Sequence, residues 1–445
     1  MRDEKQLLQI WNTLGFTRLF QSFRMAVGPT KLVLAMLTVI VVCLIGWVMD
    51  ICTEAGPVGG KQEAILTPII LSVVDFGKAA QFEVYVTEPE KTIRSIEQYK
   101  QHGHQRGVFS TLWNFGAARF NGATVSLLKL DIANALANIW LCAVGLAWAV
   151  KYHTAYSIIY FTIVTIVICV FGGAICRCAA LEFARGEKPG LTEAFRFSGA
   201  KLSSLLAAPF VPVGIILLLG AMVFFLGLMG NLPGGFGDLI TALGLGGALL
   251  IGLLLVFLLS GTIAGAGLML PAVAYEGSDG LDAISRSFMY VFNQPWTMLL
   301  YTLTATVWGT ISYLLARLFV FGVMIVTYGL LYLGFSCRVG GTERLACIWP
   351  RPQFLNLAGP DIETAINWSQ SVASFLIHLT TLFIVGLVVA FVISFYFSAC
   401  TIIYALMRNG VDKVGTDEIY IQLDEIRDEA VPPKPGASAP GASGG

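Results

Sequence analysis

The sequence predicts an all-α, polytopic membrane bundle with seven or eight crossings and amphipathic interfacial helices. Three observations predict it. Of 445 residues, 56% are hydrophobic and only 13% charged, whereas soluble domains carry about 25% charged residues to keep a surface in water. The mean hydropathy is +0.74. A membrane helix needs about 20 apolar residues, and seven runs supply them: Leu32–Ile51, Ile132–Val150, Tyr156–Ala174, Leu205–Met229, Leu239–Ala272, Thr297–Phe335 and Val372–Met407. Several exceed one membrane thickness, so tilt or interfacial extension is expected.

Composition also excludes functions. The net charge is zero, and no basic stripe offers a nucleic-acid surface. The nine cysteines are scattered without a C-x-x-C, so zinc-ribbon and thioredoxin-like chemistry is not expected. "GPVGGKQ" (Gly56–Gln62) is no P-loop, since Gln62 stands where Ser or Thr should be. His-Glu-x-x-His is absent. No cofactor, metal or catalytic set is therefore expected. The expected partner is the lipid bilayer, with other membrane proteins or self-association beside it.

Taken in order, residues 1–30 place Leu7, Trp11, Leu14, Phe20 and Phe23 among Arg18, Arg24 and polar groups, the pattern of a helix lying on the membrane surface. The first apolar run follows this charged leader and is too long for a cleavable h-region, so it reads as a retained signal anchor. The transmembrane bundle covers 31–407. Within it, 54–129 is a mixed polar insertion and 338–371 an extracytoplasmic loop. The tail, 408–445, ends in "PPKPGASAPGASGG", which cannot build a core and is expected to be disordered from about residue 430.

Lys and Arg near helix ends set the orientation. Arg2, Lys5, Arg18, Arg24 and Lys31 place the N-terminus in the cytoplasm, as Arg408 and Lys413 do the C-terminus. The loop Cys178–Lys201 carries Arg185, Lys188 and Arg196 and reads the same way. The membrane is then the inner, or cytoplasmic, one. Seven crossings cannot put both termini on one side. Either Ala64–Ala80 is an eighth crossing, despite Pro68 and Asp75, or the run Thr297–Phe335 divides at Arg317. The second would turn the basic loop outward, so the first is preferred.

Two polar stretches separate long apolar runs. In "GLDAISRSFMYVF", Leu281, Ile284, Phe288 and Val291 recur at helical spacing, and Asp282 can pair with Arg286 four residues on. Ser278 or Asp279 can cap the start. In the earlier stretch, Leu191, Ala194, Phe195, Ser198 and Leu202 form the corresponding stripe, Glu193 can pair with Arg196, and Pro209–Phe210 echoes Pro295–Trp296. Leu191, Glu193, Ala194 and Ser198 thus match Leu281, Asp282, Ala283 and Ser287 in a degenerate internal repeat.

This arrangement, an amphipathic "GL-x-x-A-x-x-x-S" helix feeding a Pro- or Trp-marked membrane helix twice, resembles the membrane domain appended to some glycerophosphodiester phosphodiesterases and its stand-alone bacterial relatives. It also resembles uncharacterised bacterial multi-pass proteins with the phrases "GGAICRCAALEFAR" (Gly172–Arg185) and "EGSDGLDAISRSF" (Glu276–Phe288). The resemblance covers roughly Tyr156–Phe335. It implies a fold and a membrane location. It carries no catalytic residue, because the phosphodiesterase's catalytic domain has no counterpart here.

Several residues carry chemistry-bearing side chains, each with a plain structural reading beside it. His102 and His104 have no acidic or cysteine neighbour to complete a metal set and read as a solvated loop. Cys176 and Cys178 flank Arg177 at what reads as a helix end, with the wrong spacing for zinc. Cys337 and Cys347 fall in the outer loop, where a structural disulfide would close a short ring. Arg317 lies about one bilayer thickness beyond Pro295 by helical rise, and is expected to snorkel at the far interface. His378 and Ser260 suggest a dyad only if the fold joins them. Gly244, Ala248 and Gly252, with Gly261 and Gly265, repeat at a spacing of four, which lets helix backbones approach closely in lipid. The sequence favours a non-enzymatic, lipid- or partner-organising membrane protein; the alternative is a small-solute transporter or channel subunit.

Overall fold

The computed structural model describes residues 15–54, 107–232, 235–337, 341–354, 357 and 368–420. A 3-10 turn, Gly15–Phe20, leads into α1 (Gln21–Ala26) and α2 (Pro29–Glu54). Then follow α3 (Val108–Leu128), α4 (Ile132–Tyr152), α5 (Thr154–Arg185), α6 (Leu191–Ala200) and α7 (Leu202–Met229). The remaining helices are α8 (Phe236–Glu276), α9 (Gly280–Asn293), α10 (Pro295–Ser336), α11 (Gly341–Ile348) and α12 (Trp368–Asp412). Seven of these, α2, α4, α5, α7, α8, α10 and α12, are long and apolar enough to cross a membrane. The chain is an all-α, multi-pass bundle.

Each expected apolar run became a helix, and most are longer than the run. Helices α8, α10 and α12 contain 41, 42 and 45 residues, about 60 Å each by helical rise and about twice a hydrocarbon core. Part of the excess is buried in protein. Gly172–Leu181 of α5, Leu268–Tyr275 of α8 and Phe397–Met407 of α12 are buried at every consecutive residue. Helices that are apolar on all sides are covered on all sides, and here they cover one another at the end of the bundle where α6 and α9 lie. Two glycines permit the approach. A Cβ on Gly172 would stand 2.6 Å from the Phe397 ring, and one on Gly173 would stand 2.6 Å from Leu205.

The ends of α5 correct the sequence reading. The helix does not stop at Ala174 but runs on to Arg185, where Gly186 in the left-handed region (φ 74°) caps it. Cys176, Arg177 and Cys178 therefore lie inside a buried helix rather than at its end. Arg177 and Glu182 look like loop residues in sequence, yet the fold gives each a partner. The buried Lys31 ammonium pairs with the Glu182 carboxylate.

Residues 15–26 are a turn and a short helix rather than one surface helix. Leu19, Met25 and Ala26 join the core, Phe20 meets Trp308 edge-on at 4.9 Å, and the Ser394 hydroxyl donates to the Ala26 carbonyl at 2.8 Å. The segment Ala64–Ala80, the histidines His102 and His104, and the stretch Gly56–Gln62 fall outside the described residues. What the polar insertion does show is α3, whose Asn114, Arg119 and Asn121 hide it from a hydropathy scan. It starts beside the end of α2 and runs back along it. Asp50 of α2 accepts the backbone N–H groups of Phe109 and Ser110, both at 2.9 Å, capping the positive end of α3 from a neighbouring helix. A Cβ on Gly46 would overlap the Phe109 ring, and Trp113 faces the same cavity as Val42, Val39 and Thr38. Helix α4 then returns antiparallel to α3, with Gly122 against Asn138 and Val108 in one cluster with Trp148. Tyr156, at the start of α5, donates to Asp50 at 3.0 Å.

Helices α6 and α9 turn their small residues inward. Ala194, Ser198, Ala283 and Ser287 are all fully buried, whereas Leu191 and Leu281 are exposed, Leu281 by 66%. On α6 the expected stripe thus faces inward at Ala194 and Ser198 and is exposed at Leu191. On α9 Val291 of the expected stripe is buried and Leu281 is not, and Ala283 and Ser287 share the inner face. Helix α9 packs closely on α8: a Cβ on Gly265 would lie 3.4 Å from Ser287 Cβ, and one on Gly261 3.0 Å from the Phe288 ring. Asp282 pairs with Arg286 at 3.1 Å. No ion pair joins Glu193 to Arg196 among the described residues. Asp279 occupies the N-cap of α9 without a side-chain capping bond. Pro295 is at the first turn of α10, but Pro209 sits inside α7, so the two are not equivalent. Of the other small residues, Gly244 is closed over by Leu226, while a Cβ on Gly252 would meet nothing within 4 Å. Ala248 is half-buried.

Candidate functional site: an apolar cavity and a polar foot

Three sites draw residues from several helices. The first is a cavity of about 650 Å³ walled by six helices, within the ~300–1,000 Å³ typical of ligand pockets. Its wall includes Val39 and Val42 of α2, Trp113 of α3, Ile168 and Cys169 of α5, and Val392 and Tyr396 of α12. From α7 come Pro209 and Val213, and from α8 Thr262, Ala266, Gly267 and Pro271. Its threonines add little polarity, because Thr38, Thr165 and Thr262 each donate to a carbonyl of their own helix at 2.9, 2.7 and 2.7 Å. Trp113, Val213 and Tyr396 are 40%, 47% and 51% exposed, so the wall is continuous with the outer apolar surface. Such a surface favours a hydrocarbon and offers no charge to a polar solute.

The second site is a polar foot at the α6/α9 end. Glu276, the last residue of α8, accepts a hydrogen bond from Tyr404 at 2.6 Å and pairs with Arg286 at 2.7 Å. Arg408 Nε lies 3.0 Å from its other side, close enough for charge pairing although its N–H is not aimed at the carboxylate. Tyr290 donates to Asp412 at 2.5 Å. Burial, and then the Asp412 carboxylate, push the Tyr290 hydroxyl above the usual phenol range. Burial works against the Arg286 charge, but the carboxylates of Glu276 and Asp282 outweigh it and raise its pKa.

The strap 413–420 closes the foot. The Arg177 guanidinium, 1% exposed, donates to the carbonyls of Ala274 and Tyr420 at 3.1 and 2.9 Å. Tyr420 returns its N–H to the Tyr275 carbonyl at 3.0 Å. The Tyr275 hydroxyl donates to the Thr416 carbonyl, Arg408 to Glu418 at 2.7 Å and Arg18 to the Thr416 hydroxyl at 3.0 Å.

The third site surrounds Arg317, which does not snorkel. Helix α10 passes through it unbroken, and the residue is buried. Its guanidinium donates to the Asn121 side chain, the Tyr313 hydroxyl and, at 2.8 Å, the Phe354 carbonyl. Trp349 packs on Tyr328 and Phe354 on Phe321. As the loop advances from 349 to 354, its partner on α10 falls from 328 to 317, so the expected outer loop folds back along the helix. The loop brings to the arginine a polar group, the Phe354 carbonyl, that its own helix lacks.

Cys337 and Cys347 stand as free thiols, Cys337 exposed. Ser260 donates to the Phe257 carbonyl at 2.9 Å, and no hydrogen bond joins it to His378 among the described residues. Nor, among those residues, does any group of three His, Cys, Asp or Glu side chains form that could hold a metal ion. Sequence reasoning missed Asp50, Asn121 and Glu276. Asp50 was a single acid at the end of an apolar run, and Asn121 and Glu276 were each one polar residue among several in a mixed stretch.

Fold and site define a class, the multi-pass α-helical membrane protein with an apolar cavity between its helices. No protein-family model, curated protein or solved structure matches the chain.

Proposed function

We propose that the chain is a non-enzymatic membrane protein that organises lipid, holding a lipid hydrocarbon chain in the six-helix cavity. The cavity's almost wholly apolar wall is the observation that supports this. A fatty acid carrying a diazirine near its chain end should, on irradiation in membranes, label cavity residues such as Val39, Trp113, Ile168 and Val392. Labelling confined to outward leucines such as Leu249 and Leu253 would reject the proposal. A transporter or channel subunit is the second reading, favoured by the folded-back segment at Arg317, since non-helical backbone at membrane depth belongs where it is buried or lines a cavity. Solute flux in reconstituted vesicles, lost on replacing Arg317, would favour that reading over the first.

We further infer that α3 is an eighth crossing. Counted with the seven apolar helices, it places both termini on one side of the inner membrane, and the basic residues near them favour the cytoplasm. Reporters fused at either terminus, or inserted at the α3–α4 turn near Leu130, should all report the cytoplasm. Opposite signals from the two termini would refute an even number of crossings. Under this topology α6 and α9 are paired cytoplasmic interfacial helices of one repeat. The likeness to glycerophosphodiester phosphodiesterase membrane domains and a bacterial origin stay part of this proposal.

A further inference from the structure

The cavity is closed toward the polar foot. Its wall includes Cys169 of α5, Leu270 of α8 and Phe397 of α12. There, or just beyond, the three helices enter the stretches Gly172–Leu181, Leu268–Tyr275 and Phe397–Met407, buried at every residue. Arg177 lies about 12 Å of helix past Cys169, and Arg408 about 16 Å past Phe397. Among the described residues no charged side chain lines the cavity, and its four hydroxyls are engaged within the protein. Thr38, Thr165 and Thr262 donate to their own helices, and Tyr396 is hydrogen-bonded to the Cys400 side chain. Neither the wall nor the foot therefore offers a charge to a headgroup. The opening is lateral. Trp113 of α3 and Val213 of α7 are half-exposed wall residues, and their two helices share no packed interface among the described residues.

We propose that the cavity takes a lipid sideways and tail-first, through the gap between α3 and α7, and binds the chain while the headgroup stays outside in the bilayer. The ligand class is then defined by its hydrocarbon chain and not by its headgroup, so zwitterionic and anionic phospholipids with the same chains bind alike. This rests on the reading of the cavity as a lipid-chain site and specifies how that site is entered and what it recognises. Apolar burial, which follows area and has no direction, supplies the affinity. A headgroup drawn in after the chain would lose its water and find no countercharge, a cost that apolar contacts do not offset.

The test uses the full-length protein in phosphatidylcholine vesicles with nitroxide-labelled phospholipids, read by electron paramagnetic resonance. The wild type should immobilise a label near the chain end, and Ala266→Phe, which fills the cavity, should immobilise less of it. A label on the headgroup of the same lipid should be equally mobile with either protein. Chain-labelled phosphatidylcholine and phosphatidylglycerol should be retained within about twofold of each other, since a charge-assisted headgroup contact would separate them by about tenfold or more. Val213→Trp, which crowds the gap, should slow exchange of the chain-labelled lipid severalfold. A headgroup label immobilised by the wild type and released in Ala266→Phe, or a preference of that larger size for either headgroup, overturns the inference and leaves the chain site standing. Exchange as fast in Val213→Trp as in the wild type overturns entry between α3 and α7. Chain-end labels equally immobilised by the wild type and Ala266→Phe overturn both the inference and the chain site. Equal melting temperatures for the wild type and the two variants show that these differences are not lost folding.

Discussion

Glu276→Ala should lower the stability of the bundle by about 3 kcal/mol, at the low end of what removing one partner of a buried ion pair costs, because Arg286 is partly exposed. The carboxylate is nearly buried and answers three groups from two helices, Tyr404 and Arg408 of α12 and Arg286 of α9. Its loss leaves two guanidinium groups close together with less charge to balance them: among the described residues Asp282 and Asp412 remain beside Arg286, and Arg408 keeps the Glu418 carbonyl. Glu276→Gln retains an acceptor for Tyr404 and should cost less. Since the three partners share one acceptor, Glu276→Ala combined with Arg408→Ala should cost less than the sum of the two. Thermal unfolding in detergent measures all of these. A melting temperature unchanged in Glu276→Ala, or strict additivity in the double variant, would show that the foot is not a cooperative network.

Arg177→Met should release the strap 413–420 and cost about 2–3 kcal/mol, roughly the worth of its charge-assisted hydrogen bonds. The guanidinium joins the Ala274 carbonyl of α8 to the Tyr420 carbonyl of the strap and lies over the Phe197 ring of α6 at 4.8 Å. Methionine can fill the space but offers no donor. Lysine keeps the charge without the planar fork that spans both carbonyls, so Arg177→Lys should fall between the two. Limited proteolysis supplies a local readout: cleavage within 413–420 should be accelerated strongly in Arg177→Met and more weakly in Arg177→Lys. Equal cleavage in wild type and Arg177→Met would mean that the strap is held by its other contacts, those of Tyr275, Arg18 and Arg408.

These two residues also show where sequence reading stops. Hydropathy found the seven apolar helices because a crossing requires an unbroken run of greasy residues, and the run itself is the signal. It misplaced the end of α5 because Arg177 and Glu182 look like surface residues until the groups that hold them, distant in sequence, are known: two carbonyls for the arginine and the Lys31 ammonium for the glutamate. The same holds for α3, whose Asn114, Arg119 and Asn121 depress its hydropathy although Asn121 serves Arg317 inside the protein. On α9 the spacing of Leu281, Ile284, Phe288 and Val291 marked a helix correctly. It took Leu281 for an inward residue, whereas Ala283 and Ser287 share the inner face with Val291 and Leu281 is exposed, because the neighbouring helix presents Gly261 and Gly265 and so admits small side chains closely. The cavity had no sequence signature at all. Its wall takes between one and several ordinary residues from each of six helices, and only the packing of those helices creates the space.

The most direct measurement is native mass spectrometry of the full-length protein extracted from its own membrane, wild type beside Ala266→Phe. Ala266 faces the cavity, and a phenyl group there occupies the space without touching the polar foot. A lipid-sized adduct retained by the wild type and lost from a folded Ala266→Phe variant is the predicted result. An equal adduct on both proteins, or none on the wild type, would contradict a lipid-holding cavity.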